Sequence, residues 1–232
     1  HGSELFWLRR SPVLRWGVNQ PDAVCFVTES MRDELSHLLS VKALVYTPNG
    51  VDMQTFFPGE AARVPQFLAV GNFRNEKGFD VLMRAFRRVR QRFADVRLIM
   101  VGDGLGREAV EDLAREIGIG THVEFRGSCQ RDEVAKLMRE SRVFVMSSRS
   151  EGQPKVLLEA VACGTPVVVT DVGGCRAMAE GKGIVVPPED WHALADAMET
   201  ALSDEEAWTR WREACLDSTP ELDWGRSTQI LG

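Results

Sequence analysis

Two rhythms of apolar residues alternate along this chain. Short runs at 23–27, 43–47, 66–70, 96–101, 123–126, 143–146 and 167–169 have the length of strands, and most have the aliphatic content of strands buried on both faces. Between them apolar residues recur every three or four positions. They do so at Met31, Leu35, Leu38 and Leu39, at Phe79, Leu82, Phe86, Val89 and Phe93, and at Val134, Leu137 and Met138. Trp191, Leu194, Ala195, Met198 and Leu202 continue the series, followed by Trp208, Trp211 and Cys215. That is the helical period, and a further helix is expected over 107–117. Strand followed by helix throughout predicts an α/β fold, a doubly wound parallel sheet with helices on both faces. Right-handed crossovers bring every loop that leaves a strand to one edge of that sheet.

The stretch over 150–174, SEGQPKVLLEAVACGTPVVVTDVGG, organises the rest. Pro154 stands where a first helical residue would, needing no intrahelical partner for its nitrogen. Val156, Leu157, Ala160 and Val161 continue the helix, Gly164 supplies a left-handed cap, and Pro166 prevents continuation. Glu151 falls just before this helix and Glu159 lies inside it, eight positions or about two turns further on. A helix start offers unpaired N–H groups and a partial positive charge to an anion. A carboxylate beside it can accept from sugar hydroxyls, and one two turns on can hold a ribose diol. Two arbitrary glutamates at this spacing would read instead as a first-turn residue favoured by the dipole and a solvated side chain.

Composition narrows the class. The 232 residues are 44% hydrophobic and 27% charged, enough for a substantial core. A formal charge of −6 argues against nucleic-acid binding, and no apolar run reaches the length of a membrane span. The opening residues show no signal peptide, since charges interrupt their apolar positions. Five cysteines, odd in number and without a CxxC pair, suit reduced, packed thiols in a cytoplasmic protein. The four histidines are scattered, so no metal-ligand cluster is expected.

With its surroundings, EGQPKVLLEAVACGTPVVVTDVGG resembles the signature of the retaining nucleotide-sugar glycosyltransferases called group 1 or family 4. The resemblance runs from about residue 23 onward and is strongest over 70–174. It implies the GT-B fold, two Rossmann-like domains facing each other across a cleft, with this chain as the C-terminal half. Residues 1–44 would be a remnant of the acceptor domain and linker, 45–220 the donor-binding domain, and 221–232 the start of a return helix. It implies transfer of a sugar from a UDP- or GDP-linked donor to a hydroxyl of a glycan or lipid-linked acceptor, with retained configuration and no metal or other cofactor.

The same resemblance assigns residues. Lys77 and Glu151 are the catalytic groups, Lys77 gripping the donor pyrophosphate and Glu151 positioning the sugar, while Glu159 takes the ribose. Asn72 stands where the family usually has Arg, with Arg74 as a second cation for the same phosphates. Gly127 opens a segment, through Arg131, that lies against the nucleobase. Gly152, Gln153, Pro154, Lys155 and Val156 complete the donor site. Ala177 replaces a Glu carried by most relatives, a departure that bears on donor chemistry rather than on fold.

Rival readings remain. GDGLG at 102–106 evokes a dinucleotide fingerprint, but the third glycine would fall on Arg107 and no acidic residue ends a following strand. A nucleotide-sugar epimerase of the same fold lacks the extra acid/base groups. A non-catalytic nucleotide-sugar binding module, or one subunit of a split transferase, stays open, because too few residues precede Ala23 to build an acceptor domain and the chain alone is expected to be inactive. HGSE at the start resembles the end of a family strand and equally a tag scar, and the Pro48-Asn49-Gly50 turn is read as structural. LFWLRRSPVLRWGV reads as a helix interrupted at Pro12 and belonging to the acceptor domain, with a membrane-surface helix as the alternative. Arg84, Arg87, Arg88, Arg90 and Arg92 read as a solvated face, with peripheral contact to the inner membrane face as the alternative. Apolar surface at Trp7, Trp16 and Trp224 favours self-association.

Overall fold

A computed structural model describes residues 8, 10–26, 30–47, 49–59 and 63–224. The HGSE start, Trp7, Val27, Pro48 and the tail beyond Trp224 lie outside the described residues, as does the side chain of Met31.

From residue 12 the described elements run α1 (Pro12–Val18), β1 (Ala23–Phe26), α2 (Ser30–Leu38) and β2 (Ala43–Tyr46). Leu8 and Arg10 are helical, the helical run breaks at Ser11 as Pro12 leads one to expect, and Pro12 opens α1, with Ser11 as the cap accepting from the Leu14 amide. A Pro is well placed there because that position has no N–H to satisfy. β1 and β2 pair in parallel over a small cluster built on Phe26, Leu35 and Leu39.

The larger unit follows. It runs β3 (Val64–Val70), α3 (Phe79–Arg92), β4 (Arg97–Val101), α4 (Arg107–Glu116), β5 (Val123–Phe125), α5 (Arg131–Glu140) and β6 (Ser141–Met146). Then come α6 (Lys155–Ala162), β7 (Val167–Thr170), α7 (Cys175–Ala179), β8 (Gly183–Val186), α8 (Trp191–Ser203) and α9 (Glu205–Ser218). β8 and the five-residue α7 are absent from the sequence reading: each is too short to show a measurable period.

Strands β3 to β8 form one parallel sheet in the order β5-β4-β3-β6-β7-β8. Successive strand residues point to opposite faces, which explains the unbroken apolar runs. Phe67, Val143, Val145 and Val168 pack with α3, α4 and α8, and Trp208 of α9 joins them. Leu68, Phe144, Met146, Val167 and Val169 pack with α5, α6 and α7. Gly164 ends α6 at φ 68, the left-handed cap expected of it. Cys163, Cys175 and Cys215 are buried free thiols, and burial pushes each up to about 12.

The order places a topological switch point between β3 and β6. From β3 the chain winds outward through β4 and β5; from β6 it winds the other way through β7 and β8. Ligands of open α/β sheets bind outside the C-terminal ends of the strands at such a point.

Candidate functional site at the sheet switch point

β3 ends at Val70, and the loop after it makes a short 3-10 turn, Asn75–Lys77, closed by Gly78 at φ 60. Gly78 is required twice over. Its φ is left-handed, and a Cβ there would stand 2.2 Å from the Ser147 carbonyl oxygen. This close approach of the two loops carries Lys77 across Gly71 toward β6, with the Ser147 hydroxyl donating to the Lys77 carbonyl at 2.9 Å.

β6 delivers Ser148 and Glu151. Lys77 Nζ lies 2.6 Å from Glu151 Oε1, and the Ser148 hydroxyl donates to the same oxygen at 2.7 Å. Ser148 is held in turn, its carbonyl accepting from the Thr170 hydroxyl at 2.6 Å. Side-chain exposures of 24% for Lys77 and 11% for Glu151 put the pair largely out of bulk water, where it is worth more than a surface ion pair. Both bonds fall on Oε1; Oε2 makes neither. Gly173, at φ 53, lets a second turn close over the Glu151 backbone, since a Cβ there would come within 2.2 Å of the Glu151 carbonyl oxygen.

Beside this pair a cleft of 330 Å³ is lined by Val70, Gly71, Asn72 and Lys77 on one side and Val156 and Glu159 of α6 on another. Phe56, Cys129, Arg131 and Val134 close it. Pro154 is the cap of α6 rather than its first residue, and no side chain caps that helix start. Burial raises the Glu159 carboxyl above the ordinary glutamate range, with the charges of Arg131 and Lys155 pulling the other way. Arg131 lies 3.5 Å from Asp52 and its guanidinium sits 5.3 Å above the Phe56 ring. The Thr55 hydroxyl and the Gln54 amide hold the Asp52 carboxyl below its usual range.

Asn72, Lys77, Val156 and Glu159 therefore meet in one cleft, and Glu151 is tied to it through Lys77. Other singled-out residues do different work. Arg74 is exposed and off the cleft lining. Gln153 is engaged with the turn at Asn49, its Oε1 accepting the Asn49 amide at 3.1 Å and its carbonyl the Asn49 side chain at 3.3 Å. The Gly152 carbonyl accepts from Gly174 at 2.8 Å, and the exposed Lys155 places its ammonium 5.9 Å from the Trp224 ring centroid. Gly127, at φ 69, accepts from Gly102 at 2.7 Å and so joins two loops of the edge. Phe56 went unmarked in the sequence, where a Phe-Phe-Pro run in a loop carries no period. Arg131 entered only as the end of a segment.

The arginines of α3 do not make one continuous basic face. Arg88 pairs with Asp196 and Glu199, and Arg92 with Glu199, leaving Arg84 and Arg87 as exposed cations. Among the described residues no helix is long and apolar enough to cross a membrane. Trp16 is 68% exposed and Trp224 46%.

The fold and site define a doubly wound α/β protein whose crevice, at the switch point, is lined by a lysine, the Glu159 carboxylate and Val156 from the first turn of an uncapped helix, with Glu151 paired to that lysine. Residues 52–215 match the family model described as Glycosyl transferases group 1, and the chain belongs to that family. The GDP-mannose-dependent α-(1-6)-phosphatidylinositol monomannoside mannosyltransferase of Mycolicibacterium smegmatis is 31% identical over 229 residues, 88% of this chain. The match covers 60% of that relative, so the chain spans about three fifths of its length. Among solved structures, sucrose-phosphate synthase from Thermosynechococcus elongatus superposes with a TM-score of 0.84 at 25% identity, over 100% of this chain and 60% of that one. HepE of Anabaena, solved with UDP and glucose, gives 0.84 at 19% identity, over 98% and 66% of the two chains. The GT-B likeness expected from residues 150–174 is thus found in both sequence and fold.

Proposed function

We propose that this chain binds a nucleoside diphosphate sugar in the cleft beside β3 and β6. It serves as the donor-binding part of a glycosyltransferase that passes the sugar to a hydroxyl of a glycan or lipid-linked acceptor with retention of configuration. The observation that carries this reading is the Lys77–Glu151 pair at the switch point, with Glu159 lining the same cleft as Lys77. The leaving group is a nucleoside diphosphate, whose developing charge needs cationic and N–H donors. Lys77 is the cation, and the uncapped start of α6 supplies N–H groups and the positive end of its dipole. No metal is assigned a part. Glu151 Oε2 accepts from a sugar hydroxyl while Oε1 stays anchored to Lys77 and Ser148. Glu159, about one turn along α6, takes the ribose diol. A relative named for GDP-mannose and for a phosphatidylinositol mannoside supports a nucleotide-sugar donor and a lipid-linked acceptor.

Calorimetry with GDP and UDP against guanosine and uridine tests the reading. Lys77→Ala should weaken nucleoside diphosphate binding roughly ten- to hundredfold and leave the bare nucleoside nearly unaffected, since only the former presents phosphate charge. A wild-type chain that binds neither diphosphate, or a variant that loses both ligands equally, would overturn it.

A further inference from the structure

We propose that Arg149 is a positioning residue for the Lys77–Glu151 pair, fastening together the loops that carry the two partners without touching the ligand itself. It stands between Ser148, whose hydroxyl holds Glu151, and Glu151 itself, yet it is absent from the cleft lining. Its guanidinium grips Asp80 at the start of α3 with two parallel bonds, Nη1 to Oδ1 at 2.9 Å and Nη2 to Oδ2 at 2.8 Å. Nη1 also donates to the Asn75 carbonyl at 2.7 Å, and the Arg149 amide donates to the Glu76 carbonyl at 2.7 Å. Asn75 and Glu76 are the two residues before Lys77 in its 3-10 turn. One side chain therefore joins the loop after β6 to both flanks of Lys77.

A third partner comes from the loop after β8. Glu189 Oε2 accepts from Arg149 Nη2 at 3.1 Å, and its other oxygen pairs with Nε. Among the described residues Glu189 is the non-glycine residue at positive φ, 64°. An L side chain is strained there. Strain held at a residue whose carboxylate completes this network is what a fastening of the loops would leave behind. Asp80 is held below its usual range chiefly by its bonds to Arg149, as expected of a carboxylate locked in a fork. Lysine could supply the charge but not the paired planar donors.

The consequence for ligand affinity rests on the donor-binding reading above; the geometry does not. Two variants of the full chain test it, Arg149→Lys, which keeps the charge, and Asp80→Asn, which cuts the fork from the other side should the first fail to fold. The first readout is acetylation by limiting N-hydroxysuccinimide acetate, followed at Lys77 by peptide mass spectrometry with the exposed Lys136 as internal reference. Lys77 labelling should rise severalfold in either variant with Lys136 unchanged. The second readout is GDP and UDP titration. Arg149→Lys should weaken diphosphate binding about tenfold, and should add nothing once Lys77→Ala is present, because the two act through one contact. Unchanged Lys77 labelling, a rise shared by Lys136, or additive losses in the double variant would each overturn the proposal. If the wild-type chain binds neither diphosphate, the donor reading fails while the labelling still decides the role of Arg149.

Discussion

Glu159 is costly to the fold in its ionised form. Burial raises its folded-state pKa above the unfolded value, so the folded chain binds a proton more readily than the unfolded one between those two values. Stability therefore falls as pH rises through that window and stays reduced at neutral pH, where the charge must sit half-buried. A group kept at that expense is a candidate for binding. Glu159→Gln is expected to raise the melting temperature at pH 7 while weakening nucleoside binding by about 1.5–3 kcal/mol, or roughly ten- to hundredfold. Because the ionised form is the hydroxyl acceptor, wild-type affinity should begin to fall on acidification above the ordinary glutamate value of 4.5, and the glutamine variant should show no such fall. A variant that is less stable and binds as well as wild type would place Glu159 in the fold instead of the site.

Among elements, the helix ends show how the site is braced from the far side of the sheet. Arg63, just before β3, donates to the carbonyls of Met138 and Ser141 at the end of α5 and of Cys163 and Gly164 at the end of α6, and to the Thr165 hydroxyl. It meets carbonyls that helix ends leave without partners. Burial pulls it down to about 10. Arg63→Met strips those bonds at once and is expected to cost about 2–4 kcal/mol, lowering the melting temperature by roughly 5–15 °C. The tight loops make a complementary case. Gly118 and Gly78 both have left-handed φ, yet a Cβ at Gly118 meets nothing within 4 Å whereas one at Gly78 meets Ser147. Gly118→Ala should cost about 1 kcal/mol of strain and Gly78→Ala roughly 2–4 kcal/mol, with loss of diphosphate binding in the second alone. Urea midpoints and calorimetry on the two variants separate strain from collision.

At the scale of the whole molecule, the two sheets rest, among the described residues, on apolar clusters of unequal size. The six-stranded sheet is covered on both faces, while β1 and β2 rest on a cluster with Phe26, Leu35 and Leu39 as its buried members. Local stability follows the apolar contact each region has. Amides of Cys25, Phe26 and Val45 should therefore exchange with deuterium well before those of Leu68, Phe144 and Val168. Saturating GDP or UDP should slow exchange in the large sheet and leave β1 and β2 little changed, since ligand stabilises what it binds. Equal protection in the two sheets would show that they open as one unit. Val51 and Leu222 both pack on a core of the large sheet, with Val51 donating to Leu222 at 2.7 Å and Trp224 donating back to Val51 at 3.2 Å.

By itself the sequence determined the alternation of elements, the double burial of the large sheet's strands though not of β1, where Ala23 and Cys25 are exposed, the cap at Gly164 and the candidacy of Lys77, Glu151 and Glu159. The first three depend on residues close in the chain, a period, a turn or a helix end, whereas the candidacy of the three side chains rests on the family resemblance of the segments that carry them. Every strand of the sheet but β8 was legible on those terms; four residues, GIVV, are too few to show a period. What only the tertiary structure decided is which groups meet. Strand order set β3 beside β6 and so brought together two residues 74 positions apart, a matter of long-range packing that no local pattern encodes. Whether Arg74 or Lys77 faced the cleft turned on the contact of Gly78 with Ser147, and Gln153 was claimed by Asn49 from 104 positions away. Arg63 and Arg149 were not singled out in the sequence; their roles come from carbonyls and carboxylates supplied by distant turns of the fold, where burial makes an unmatched polar group costly.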